Sequence, residues 1–259
     1  MRIKRTVLLT LVVLLISFAF VSKSSAVTID EIIKRLEENQ GKIKDLEADV
    51  VMEVNNVAGM ITAQELKVWS KGDDKTKIEI VHSDAFEDDS LTFFPTTVII
   101  NGSKMSIGQR GKTQQVIDIE EIQDKGKVDK RYEPMEQFTL GMGLLKGMGD
   151  FLRKSEVSIV KEEGNKITLS IIPEETNLLM QKINMVVDMG RGVITQQKMY
   201  SNMGINFCRM EYEKKDEIWI LRKFTMTNSF GQMGTSTVKV EYKNIQLNKG
   251  IENVMFEIK

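Results

Sequence analysis

One histidine, one cysteine and three prolines occur in 259 residues, and each scarcity excludes something. His82 is the only imidazole, which removes most hydrolytic triads and most zinc sites. Cys208 is the only thiol, so no intramolecular disulfide forms and stability must rest on a packed core. With Pro95, Pro134 and Pro173 as the only prolines and no low-complexity stretch, no linker divides the chain. Phosphate chemistry is missing too, because no Gly-rich loop meets Lys and Ser/Thr. The spacing Gly141-x-Gly143-x-x-x-Gly147 also misses the dinucleotide fingerprint. No serine sits in a nucleophile-elbow context. Asp84, Glu87, Asp88 and Asp89 cluster without the Asp/Asn/Gly register of a calcium loop and read as a solvated loop. Catalytic residues, metal ligands and cofactors are therefore all expected to be none, and an envelope enzyme is the least favoured class of function.

What is present begins with a leader. Arg2, Lys4 and Arg5 precede an apolar run from Val7 to Val21, and Ser24-Ser25-Ala26 supplies small residues for cleavage after Ala26. The run is shorter than the roughly 20 apolar residues of a spanning helix, and no cysteine at the junction calls for lipid attachment. The expectation is a signal peptide over residues 1–26, with an uncleaved anchor as the alternative, and a single exported domain over 27–259. Removing the leader takes four of the 36 basic residues and none of the 37 acidic ones, leaving a net charge of −5. That mild acidity serves solubility and recruits no nucleic acid.

Thr28-Ile29-Asp30-Glu31 has the form of a capping box. Ile29, Ile32, Ile33, Leu36 and Ile43 follow with helical spacing, predicting an amphipathic helix over about residues 29–44. The period then becomes two: Leu46, Ala48, Val50, Met52 and Val54 alternate with Glu47, Asp49 and Glu53. Further runs at 61–70, 75–81, 96–100, 103–107 and 115–119 continue it, with Asn101-Gly102 as the clearest hairpin signal. After residue 155 strands are expected at 157–161, 166–172, 182–188, 192–200, 205–213, 217–228 and 236–242. About a dozen strands with tight turns predict a mainly β (α+β) fold: a large antiparallel sheet curling into an incomplete barrel or half-barrel.

Residues 135–154 differ. Phe138, Leu140, Met142, Leu144, Leu145, Met148, Phe151 and Leu152 are dense in apolar side chains, while Gly141, Gly143, Gly147 and Gly149 weaken a helix. The segment reads as a marginal helix, either a cover able to shift or a plug of the core. On the strand of residues 205–213, Asn206, Cys208, Met210 and Tyr212 share one face, so Cys208 reads as a buried inert thiol. Methionine is abundant, at 16 residues, which serves either as ordinary core filling or as an adaptable lining for apolar ligands of varied shape.

The opening Ile32-Ile33-x-x-Leu36 through Leu46-x-Ala48-x-Val50 resembles the start of the outer-membrane lipoprotein carrier family, the LolA/LolB superfamily. The close, Tyr242-Lys243-Asn244-Ile245 through Asn248-Lys249-Gly250-Ile251 to Phe256, is similar to that family's final strand and ending, and residues 98–107 to its central hairpin. The resemblance implies an incomplete barrel with a helical lid around an apolar cavity for lipoprotein acyl chains crossing the periplasm. Such a cavity answers a physical need, since exposing a sixteen-carbon chain to water costs about 13 kcal/mol at roughly 0.8 kcal/mol per methylene. Val50, Met52, Leu66, Val68, Ile78, Ile80, Ile167, Leu169, Ile183 and Met185 are the candidate lining, and Phe138, Leu140, Leu144, Leu145, Met148 and Phe151 the candidate lid. The same lining residues equally suit a closed core. Arg153 and Arg191 are the candidates for gating the lid. The implied partners are lipoprotein or lipid acyl chains and membrane-associated export and receptor proteins, with the carrier a monomer. The alternative from the same resemblance is an envelope sensor that reports on lipoproteins.

Overall fold

The computed structural model describes residues 27–72, 74–84, 95–109, 115–118, 148–174, 181–202 and 204–258. Helix α1 spans Ile29–Gln40. Thr28 Oγ1 accepts the Glu31 N–H at 3.2 Å while the Glu31 carboxylate accepts the Thr28 N–H at 2.8 Å, so the expected capping box is formed. Ile32, Ile33, Leu36 and Asn39 make its buried stripe. The helix stops four residues before the expected end at 44. Asn39 spends its amide on the Trp219 backbone, donating to the carbonyl at 2.8 Å and accepting the N–H at 3.1 Å, and Gly41 follows at the cap. Ile43 still packs on the core, from a turn.

Thirteen strands follow: β1 (Asp45–Asn55), β2 (Ile61–Lys71), β3 (Lys75–Ser83), β4 (Pro95–Asn101), β5 (Lys104–Gln109), β6 (Gln115–Asp118), β7 (Ser155–Glu163), β8 (Lys166–Pro173), β9 (Lys182–Asp188), β10 (Val193–Ser201), β11 (Gly204–Lys215), β12 (Ile218–Ser229) and β13 (Thr235–Leu247). A short helix α2 (Met148–Arg153) precedes β7. All belong to one antiparallel sheet in the order β6-β5-β4-β3-β2-β1-β13-β12-β11-β10-β9-β8-β7. Two meanders are thus joined where β1 meets β13, and among the described residues β6 and β7 are the edges of a curved, unclosed sheet. Six of its pairings shift register, and such bulges bend strands and tighten twist. They also explain two exposed valines: Val81 and Val160 are the extra residues at their bulges, excused from the alternation.

The sheet carries apolar clusters on both faces. The inner one gathers α1, α2 and the inward residues of strands from both meanders. The outer one is small, made of Trp69, Ile99 and the fully buried Phe256. Phe256 arrives there because the chain turns back after β13. Asn248, in the left-handed region at φ 56, bonds the Lys44 N–H and the Lys42 carbonyl through its amide. The Asp45 carboxylate accepts the Lys249 and Gly250 N–H groups at 2.7 and 2.9 Å. Asp45→Ala should therefore cost about 2–4 kcal/mol, two charge-assisted bonds from backbone donors, read as a lower urea midpoint with Trp69 fluorescence reporting release of the tail.

Candidate functional site

Alternation along β1–β3, β8 and β9 turns the ten candidate lining residues to the inner face. Val50, Leu66, Val68, Ile78, Ile167, Leu169, Ile183 and Met185 are buried in one cluster, with Met52 and Ile80 half-buried against it. Cross-strand pairs knit them together: Val50 with Leu66, Val68 with Ile78, Leu169 with Met185 and Ile171 with Ile183. The β1–β3 set and the β8–β9 set lie on opposite arms of the sheet. They reach the same cluster because the sheet curves around Ile32, Ile33 and Leu36 of α1.

Of the candidate lid, Met148 is buried and Phe151 half-buried against this cluster, on α2; Phe138, Leu140, Leu144 and Leu145 lie outside the described residues. Arg153 ties α2 to α1 through Glu37 at 2.8 Å and also meets Asp150 at 3.1 Å. Arg191 instead stacks 4.8 Å from the Trp219 ring, beside Asp188. A third arginine, not singled out by sequence, clamps α1: Arg35 Nε donates to the Met189 carbonyl at 2.9 Å and Nη2 to the Gly190 carbonyl at 3.2 Å. The β9–β10 turn approaches α1 so closely that a Cβ on Gly192 would lie 2.5 Å from the Arg35 carbonyl oxygen.

An open cavity of about 130 Å³ sits under the C-terminal end of α1. Its apolar walls are Leu36, Ile43, Leu46, Val193, Ile194, Ile220 and Leu221, with Tyr212, Trp219 and Tyr242, and Asn39, Gln40, Lys44, Asp45 and Ser70 line it too. None of the ten candidate lining residues contributes to it. They occupy strand centres, whereas the cavity is built from a helix end, strand starts and the β11–β12 hairpin, which periodicity does not mark. Burial pushes the Tyr212 and Tyr242 phenols well above their usual range, and Tyr242 adds to the shift of Tyr212. Both stay neutral at physiological pH, and Tyr212 donates to the Met210 sulfur at 3.6 Å. The wall is thus mainly apolar, with neutral phenols and the charged Lys44 and Asp45 among its polar groups, suited to hydrocarbon beside a polar group.

Cys208 is fully buried and its thiol is pushed up to about 12 by burial alone, as an inert core residue requires. Its ordinary value is 9.0, so the unfolded chain releases this proton first as pH rises. Stability is whole below pH 9 and declines from there to pH 12; by pH 11 the thiol accounts for roughly 2–3 kcal/mol. Urea midpoints at pH 8 and 10.5 should show the fall, and Cys208→Val should remove this share of it. Asp84 accepts the Ala63 N–H at 2.8 Å and stands 3.5 Å from His82, while Glu87, Asp88 and Asp89 lie outside the described residues. Among the described residues no cluster of His, Cys, Asp or Glu could hold a metal ion, and no helix is long and apolar enough to cross a membrane.

No protein-family model matches the sequence, and no curated protein matches it. Solved structures do match in shape. A LolA superfamily protein from Nitrosomonas europaea superposes with a TM-score of 0.59 at 11% identity, over 90% of this chain and 99% of the other. A DUF1329 family protein from Desulfovibrio piger gives 0.60 at 14% identity, over 88% and 95%. A domain described as an outer membrane lipoprotein-sorting protein, from Vibrio parahaemolyticus, gives 0.54 at 15% identity, over 87% and 95%. At these identities the likeness is one of fold. This chain's unclosed, curved antiparallel sheet, with an N-terminal and a mid-chain helix on its apolar inner face, is thus similar in fold to these structures: the fold is LolA-like.

Proposed function

We propose that the protein is an exported, periplasmic carrier that holds the acyl chains of lipoproteins, or of other lipids, against the inner face of its sheet. It would pass them toward the outer membrane without catalysing a reaction. The observation that carries this reading is the apolar inner face itself, continuous across both arms of the sheet and opening at one end into an apolar cavity. The fold shared with a lipoprotein-sorting domain supports it.

Size sets the condition on the reading. A cavity of about 130 Å³ is close to the 150 Å³ or so that admits one benzene, so it takes a short alkyl segment and not a whole acyl chain. A sixteen-carbon chain enters only as α1 yields. The polar anchors of α1 on the sheet are few, chiefly Arg35 on the β9–β10 turn and Asn39 on Trp219, and the remainder of its seat is apolar contact that a lipid tail can replace. The ten candidate lining residues would then change from core to binding surface, and Met52 and Met185 supply the side chains that repack most readily.

Titration with a fluorescent sixteen-carbon fatty acid tests this. Saturable binding is expected, and Ile43→Trp, which fills the cavity from the half-buried turn after α1, should weaken it about tenfold or more while leaving the melting temperature within a few degrees. A wild-type protein that binds no apolar probe contradicts the proposal.

A further inference from the structure

Gln197 is 1% exposed, and neither its Oε1 nor its Nε2 has a hydrogen-bond partner. Buried polar side chains without partners are rare in folded proteins and ask for a reason. Its surroundings sharpen the question. In register across the sheet, Gln197 stands between Met185 on β9 and Cys208 on β11, both of which belong to the inner core. A bulge delivers it there. Ile194 faces inward opposite Val187, Thr195 is unpaired, and pairing resumes with Gln196 opposite Val186. Without the extra residue the inward positions after Ile194 would be Gln196 and Lys198; with it they are Gln197 and Met199. The strand thus uses a bulge to keep a lysine outside and place an amide inside.

A second orphan lies on the same face. Asn228 on β12 is buried, and its Nδ2 donates to Ser236 Oγ at 3.3 Å while its Oδ1 has no partner. Asn206 is directly opposite it on β11. The inward row Asn206–Asn228–Ser236 is therefore polar, one step nearer the β10–β11 and β12–β13 turns than Gln197. In the other direction the same strands run to the cavity: Tyr212 is four residues from Cys208, about 13 Å at the rise of a strand. The inner face of β10–β12 is thus polar toward one rim and apolar toward α1.

We infer that Gln197 is a specificity-determining residue that recognises the amide linkage of an N-acylated ligand, with the tail lying toward the cavity under α1 and the head toward Asn206 and Asn228. This rests on the carrier reading and names its ligand class. An amide offers a carbonyl to Nε2 and an N–H to Oε1, satisfying both orphans of Gln197. An ester or a carboxylate is an acceptor only, and would leave Oε1 buried and unpaired.

The test is competition of N-methylhexadecanamide against methyl hexadecanoate for the bound fluorescent fatty acid. The pair match in length and differ in the one donor. Wild type should favour the amide about tenfold or more. Gln197→Leu and the isosteric Gln197→Met should bind both equally, with a melting temperature raised by roughly 2–6 °C because two orphaned groups are gone. Equal displacement by amide and ester from wild type overturns the inference while leaving the carrier reading standing. So does a preference that survives in both variants, or an ordered water that satisfies Gln197 in a crystal structure with ligand bound elsewhere. Displacement by neither compound, with no binding of the fluorescent acid, removes the carrier reading and the inference together.

Discussion

Gly192→Val is expected to cost the fold about 3–5 kcal/mol, and to do so by prising α1 from the sheet. Gly192 sits at φ +67, a conformation that a β-branched residue adopts only under strain. Space adds a second obstacle, for the new Cβ would lie 2.5 Å from the Arg35 carbonyl oxygen and 3.4 Å from the Asn39 Cβ. Both neighbours are helix rather than flexible side-chain ends, so α1 or the turn must move. Either movement stretches the Arg35 bonds to Met189 and Gly190 and the Asn39 pair on Trp219, which attach the helix to the sheet. Urea unfolding should show the loss, and amide hydrogen exchange should locate it as faster exchange in α1 than in the inward strands β8 and β9. A cost below 1 kcal/mol would mean that the turn does not hold the helix.

Leu169→Ala should cost about 3–5 kcal/mol, comparable to other fully buried leucines cut to alanine. Leu169 has no exposed surface and lies in register between Ile159 on β7 and Met185 on β9. Truncation leaves a hole in the inner face, where the curved sheet cannot collapse without breaking its ladder. The proposed carrier role adds a second expectation: the hole enlarges the space open to an acyl tail, so affinity for the fluorescent fatty acid should rise even as the urea midpoint falls. Ile172→Ala on the same strand is the control. Its side chain is 41% exposed on the outer face, and its loss should fall within about 0.5 kcal/mol and leave binding unchanged.

Much of this architecture is legible in local sequence because burial on one face of a sheet writes a period of two. Every strand expected from alternation is present, and Thr28 and Glu31 close the capping box that their spacing announces. Legibility fails where the period is broken. Strand β13 runs to Leu247, beyond the expected end at Tyr242, because Asn244 at φ 50 marks a bulge after which Ile245 and Leu247 resume the inward face. Gln197 is hidden for the same reason, since counting in twos from Ile194 sends it outward. Helix α1 ends early because Asn39 is committed to Trp219, 180 residues away, a partner no local window contains. The pairing of β1 with β13, which joins the two meanders, is likewise non-local. As for the site, the inward residues of β1–β3 and β8–β9 are readable, but the cavity is assembled from helix and strand ends and is visible only once those ends meet.

Photo-crosslinking with a sixteen-carbon acyl chain carrying a diazirine at its terminal carbon tests the central claim most directly. If the protein holds acyl chains between α1 and the sheet, peptide mapping should find the label on inward residues such as Leu169, Met185 and Ile220, and unlabelled fatty acid should compete it away. Labelling confined to the outer cluster of Trp69, Ile99 and Phe256, or labelling that competitor does not reduce, would contradict the account.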